Sequence, residues 1–118
     1  HVDNAYYIPH LEVKGQITKT NKVSNTAFRG FGGPQGMVVI EDIMDRVARY
    51  LDLPPEVVRE RNFYHDEGET NTTHYDQEIF DNRIAKVWQQ VKDNANFTAR
   101  REAIAQYNQA STYKKRGL

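Results

Sequence analysis

The sequence predicts an α+β fold that is mostly helical, with about four helices and short N-terminal strands. Three observations predict it. After residue 33, apolar side chains recur at spacings of three and four, the period of helices with one buried face. Residues 11–20 instead alternate apolar and polar side chains, the period of a half-buried strand. Between the two regimes lies Ser24-Asn-Thr-Ala-Phe-Arg-Gly-Phe-Gly-Gly-Pro-Gln-Gly36, with four glycines, two aromatics and one arginine.

In chain order, His1 to Pro9 opens without an initiator methionine and reads as the middle of a longer polypeptide. Tyr6, Tyr7 and Ile8 suit extended backbone, and Pro9 discourages helix before it. In Leu11-Glu-Val-Lys14 the alternation marks a strand, and Gly15 marks a bulge or bend. The main helix is expected over 34–51, with Gly33 as N-cap and Pro34 in the first turn. Its apolar face is Met37, Ile40, Met44, Val47 and Leu51, widened by Val39 and Ile43. Asp52-Leu-Pro-Pro55 stops that helix and starts a short one reaching about Asn62, whose end Phe63 and Tyr64 cover. From His65 to Asp81 the chain reads as a solvated connecting loop, because the spacing of His65 and His74 matches no metal-ligand pattern. A third helix is expected over 81–92, with Ile84, Val87, Trp88 and Val91 on one face and Trp88 as a packing anchor. Thr98 is expected to cap a fourth helix reaching Ala110, with Ala103, Ile104, Tyr107 and Ala110 on one side. The basic run Lys114-Lys-Arg116 reads as a preference for positive charge beyond a helix C-terminus.

Composition narrows the function classes. The 118 residues suffice for one small domain. Sixteen bases balance sixteen acids, so nothing in the charge points to nucleic acid or an anionic membrane. The chain is 38% hydrophobic, with mean hydropathy −0.82, enough for only a modest core. Much of its apolar surface is therefore expected to pack against further segments. No apolar run of about 18 residues offers a membrane span, and no signal peptide opens the chain. Without cysteine there is neither disulfide nor thiolate metal site; a cytoplasmic setting is expected.

The glycine run carries the site chemistry. Glycines this dense add little to a core, and each costs entropy to order. They do supply backbone that takes positive φ and approaches another molecule closely. At a helix N-terminus, free N–H groups and the dipole favour an anion or electron-rich ligand. Nucleotide fingerprints nevertheless fail: Gly30 and Gly32 fit G-x-G-x-x-G, but the third glycine falls on Gly36 instead of position 35. No Lys-Ser/Thr pair follows for a P-loop. Phe31, between two glycines, serves either as a stacking face for a flat heterocycle or as a loop anchor. Arg29 serves as an anion fork or in a structural salt bridge. Phe28 is expected to pack inward behind the loop, and Gln35 either bonds a ligand or lies on the surface.

Asn25-Thr-Ala-Phe-Arg-Gly-Phe-Gly-Gly-Pro-Gln35 closely resembles the molybdenum-cofactor segment of xanthine dehydrogenases. The resemblance continues through Leu53-Pro-Pro-Glu-Val-Val-Arg-Glu-Arg-Asn62 and Tyr113-Lys-Lys-Arg-Gly117. Aldehyde oxidases usually carry a bulkier residue at the position of Gly33, and carbon monoxide dehydrogenases usually lack an aromatic at that of Phe31. Both differences favour the purine-oxidising branch. The resemblance implies one partial domain over 1–118, a fragment of a larger molybdopterin-binding domain. Residues 1–23 would be its extended segment, 24–36 its glycine-rich cofactor loop and 34–113 its helical part.

By the same resemblance, Phe31 stacks on the purine, while Phe28, Arg29, Gly30 and Gly32 contact the molybdopterin–molybdenum cofactor, Arg29 at least as much through its backbone N–H as through its guanidinium. The implied reaction takes hypoxanthine and xanthine to urate with oxygen from water. Electrons leave through 2Fe-2S clusters and FAD to NAD, all held elsewhere. The family's catalytic glutamate, its second aromatic wall and its purine-polarising arginine lie outside this stretch. Neither Glu41 nor Glu69 is assigned the missing role, no residue is assigned as a metal ligand, and the 118 residues alone are expected to be inactive. The expected partners are a purine, the remaining segments or subunits of the enzyme, and other copies of the chain through its unpaired edges. A small phosphate- or nucleotide-binding module, or a purely structural helical domain, is the competing expectation.

Overall fold

The longest amphipathic stretch folds as helix α1, Gly33–Leu51, in a computed structural model that describes residues 1–66 and 68–118. The cap lies one residue earlier than expected. Gly32, at φ 81°, takes the N-cap and brings Gly33 into the first turn. At the other end Asp52 adopts φ 52°, and its N–H donates to the Ala48 and Arg49 carbonyls, closing the helix before the Pro54-Pro55 start signal. Helix α2 then spans Pro55–Arg61. The chain divides into two compact units, 1–82 and 83–118.

In the first unit, α1 packs on α2 and on the N-terminal segment, but through a narrower face than its periodicity predicts. Gly36, Ile40, Met44 and Ala48 are buried, one per turn. Met37, Val39, Ile43, Val47 and Leu51 stay substantially exposed. The small side chains at 36 and 48 decide this, because they let other backbone approach the helix most closely. A Cβ added to Gly36 would lie 2.6 Å from the His1 carbonyl oxygen.

Phe63 and Tyr64 go further than covering α2's end. With Tyr6 and Val58 they complete the buried core. Tyr6 and Phe63 form an antiparallel bridge and stack at 6.0 Å, and the Tyr7 N–H donates to the Asn62 carbonyl at 2.7 Å. Arg59 ties the layers together: it donates to Glu41 at 2.7 Å and to Asp45 at 2.9 Å, while the Tyr6 hydroxyl donates to the other Glu41 oxygen at 2.6 Å.

The strand expected over residues 11–20 does not form. Backbone from Glu12 to Gly30 is exposed, with Val13 and Ile17 facing solvent. Gly15 marks no bulge, and nothing lies within 4 Å of its would-be Cβ. Alternation needs a neighbouring strand to acquire an inner face, and no ladder forms among the described residues. Among the described residues, pairing is limited to the isolated bridges Tyr6–Phe63 and Thr72–Glu78. The described residues of the polar 65–81 stretch are mostly exposed, as a solvated connector requires, with Thr73 as the buried exception. The stretch contains a 3-10 turn at Gly68–Asn71 and a tight loop in which Thr73 accepts from the Gln77 N–H.

The second unit is a pair of packed helices, α3 at Ile84–Asn94 and α4 at Phe97–Ala110. Helix α3 starts and ends a little later than expected, and Ile84 and Trp88 are its half-buried anchors while Val87 and Val91 are exposed. Asn96, not Thr98, is the N-cap of α4. Its left-handed φ of 47°, tolerated by Asn, turns the chain directly out of α3. Beyond α4 the basic run folds back. Lys115 Nζ donates to the Ser111 carbonyl at 2.7 Å, and the Arg116 guanidinium lies 3.8 Å from the Tyr107 ring centroid. No described helix is long and apolar enough to cross a membrane.

Candidate functional site

Three consecutive residues before α1 have left-handed backbone: Gly30 at φ 106°, Phe31 at 50° and Gly32 at 81°. Two turns hold them there. The Phe31 N–H donates to the Phe28 carbonyl at 3.3 Å, and the Gly33 N–H to the Gly30 carbonyl at 2.8 Å. Gly30 is constrained twice, since a Cβ there would also meet Pro34 Cδ at 2.7 Å. Phe31 has no such licence; a bulky side chain at positive φ is a strained arrangement of the kind that clusters at functional sites.

The same backbone path turns side chains outward. Phe31 is 91% exposed and Phe28 74%. Phe28 therefore does not pack inward as expected, because the loop that carries it has no layer behind it. Together with Thr26, Ala27, Gly32 and Gln35 these rings line an open hollow of about 360 Å³. Arg29 sits at the exposed turn between the two rings and makes no ion pair among the described residues, so the salt-bridge alternative is not realised. No acidic residue occupies the first turn of α1, and the Gln35 N–H has no partner among the described residues. The partial positive charge of the helix end thus lies beside the hollow.

Phe28, Phe31, Gly32 and Gln35 meet at this hollow, while Arg29 and Gly30 form the turn that joins its two aromatic walls. One neighbour had no signal in the sequence. The His1 imidazole stands edge-on to the Phe31 ring, with centroids 6.4 Å apart and planes at 74°. Thirty positions separate the two residues, and no motif or periodicity links them.

A second cavity, of about 350 Å³, lies behind α1's first turn and is lined in part by Asp3, Met37, Tyr64 and Thr73. Buried Asp3 accepts from the Tyr64 hydroxyl at 3.3 Å and lies 3.4 Å from His74 Nδ1. Burial, then the nearby Asp3 carboxylate, pushes the Tyr64 hydroxyl up to about 12. Burial and the bond to Glu41 likewise raise the Tyr6 hydroxyl well above the usual tyrosine range. These groups are held protonated and serve the frame around the loop.

Residues 1–63 match the molybdopterin cofactor-binding domain. The chain belongs to that family. It is 44% identical over all 118 residues to the xanthine dehydrogenase/oxidase of Gallus gallus and to the xanthine dehydrogenase of Emericella nidulans. It is 37% identical, again over its whole length, to the xanthine dehydrogenase of Dictyostelium discoideum. The chain spans only 8% of the length of each of these relatives. The family match ends at Phe63, so it takes in the glycine loop, α1 and α2, whereas the likeness to the dehydrogenases continues through α3 and α4.

Proposed function

We propose that this chain is a segment of a molybdenum hydroxylase of the xanthine dehydrogenase kind, which oxidises hypoxanthine and xanthine to urate in the cytoplasm. The observation that carries this reading is the 44% identity to xanthine dehydrogenases along the entire chain, glycine loop included. The loop suits the group that the family implies. Nothing lies within 4 Å of the positions where Cβ atoms would sit on Gly32 and Gly33, so a bulky cofactor can reach that backbone directly. When bound, the molybdenum cofactor would supply oxidative hydroxylation of a purine carbon, with water as the oxygen source.

The chain's own residues bind and orient. Gly30, Gly32 and the N–H groups of Arg29 and Gln35 would hold the cofactor's polar edge at the tip of α1, where the helix dipole adds a favourable field. Phe28 would flank the cofactor on its other side. The exposed Phe31 ring would stack on the purine and fix its plane, a contact worth about 0.5–1.5 kcal/mol beyond area burial. No acid or base for proton transfer is assigned to this segment, which would be inactive alone. Further segments of the enzyme would cover Val39, Ile43 and Val47 and would hold the 2Fe-2S, FAD and NAD sites.

The test is Phe31→Ala in the full-length enzyme. It should lower kcat/KM for xanthine by roughly tenfold while molybdenum content stays at one per active site. Unchanged purine kinetics would remove the stacking assignment. Lost molybdenum would move Phe31 to the cofactor instead.

A further inference from the structure

We propose that His1 is a positioning residue for the Phe31 ring and thereby tunes the affinity of the site for planar heterocycles. This role rests on the stacking reading of Phe31 given above. The Phe31 ring is 91% exposed and springs from strained left-handed backbone, so its own loop gives the side chain little lateral support. The His1 imidazole touches only the rim of that ring, which stays 91% exposed with His1 in place. It meets Phe31 at 6.4 Å and 74°, within the range of edge-to-face pairs, and leaves a ring face open.

His1 can act as a prop because its own backbone is fixed. It lies against α1 at buried Gly36, where a Cβ would come within 2.6 Å of the His1 carbonyl oxygen and 2.9 Å of the carbonyl carbon. Two residues on, the Tyr6 N–H donates to the Asp3 carbonyl at 3.0 Å, and the buried Asp3 side chain accepts from Tyr64. Prop and ring are therefore referred to the same rigid body: α1 carries Phe31 at its tip and receives His1 one turn later. A stacking wall held in one orientation loses less side-chain freedom when substrate arrives.

The experiment is a double-mutant cycle in the full-length enzyme, with xanthine steady-state kinetics and molybdenum content read for His1→Ala, His1→Phe, Phe31→Ala and the His1→Ala/Phe31→Ala pair. His1→Ala should raise KM about three- to tenfold with kcat within about twofold and molybdenum content unchanged. His1→Phe, which restores a ring edge, should return KM to near the parent value. In the Phe31→Ala background, His1→Ala should add no further penalty. A silent His1→Ala beside an impaired Phe31→Ala overturns the prop and spares the stacking wall. So does a His1→Ala penalty that persists undiminished without Phe31, or one that His1→Phe does not relieve. If Phe31→Ala is itself without effect on purine kinetics, the stacking wall falls and the prop falls with it.

Discussion

Gly30 meets two demands that only glycine satisfies together. Its φ of 106° lies where L side chains are strained, and the space beside it is filled by the Pro34 ring. Gly30→Ala in the full enzyme should cost about 1–3 kcal/mol locally and splay the turn that orients Arg29 and Phe31. The expected outcome is a preparation with reduced molybdenum content, measured by mass spectrometry of the metal, and a near-normal circular dichroism spectrum. Normal metal loading would show that the turn tolerates the strain. At this scale the glycine run was readable in the sequence, because positive φ is the one backbone property that composition announces. The direction of Phe28 was not readable, since an aromatic's usual burial presumes a layer behind it. The His1–Phe31 contact lay equally out of reach, because two residues thirty apart meet only through the path of everything between them.

Helix α1 was foreseen to within a residue at both ends, yet its buried stripe was not. Periodicity reports which side of a helix is apolar; which part of that side is covered depends on what lies across from it. Here the covering layer settles on Gly36 and Ala48, and Arg59 anchors it. The Arg59 side chain is only 15% exposed and bridges Glu41 and Asp45 on the facing helix. Arg59→Ala should therefore destabilise the first unit by about 1–2 kcal/mol, a figure moderated by the partial exposure of both carboxylates. Arg46→Ala, which removes an open i,i+4 pair with Asp42 at 2.7 Å, should cost no more than about 0.5 kcal/mol. Urea unfolding of the two variants checks the contrast, and equal losses would refute the clamp. The absent N-terminal strand and the shifted cap at Asn96 have one cause in common. Local pattern sets a preference, but a missing neighbour or a tight helix-to-helix corner decides whether it is expressed.

The stability of the whole molecule should carry the signature of its buried phenols. The Tyr64 hydroxyl is raised to about 12 by burial first and then by Asp3, with Tyr75 and Tyr7 adding in the same sense. In the unfolded chain a tyrosine ionises near pH 10. The folded state therefore retains its proton where the unfolded state has lost it. This contribution is complete below about pH 10 and disappears as pH rises toward 12. Tyr6 acts in the same direction. The thermal midpoint should fall steeply across that window, and Tyr64→Phe, which has no proton to lose, should flatten the fall. An unchanged slope in that variant would disprove the linkage. Fold class was visible in the sequence, because four helices and a long extended lead leave their marks in local spacing. The division at residues 82 and 83 was not, since polar connectors look alike whether they join units or run within one.

The bridge between Tyr6 and Phe63, with Asp3 against Tyr64, closes a loop of nearly sixty residues. Such a closure is entropically late, whereas α1 and α2 meet across a three-residue connection and can assemble early. The aromatic clasp thus acts as a latch on the exit route: weakening it would let the unit open sooner and leave its rate of assembly nearly untouched.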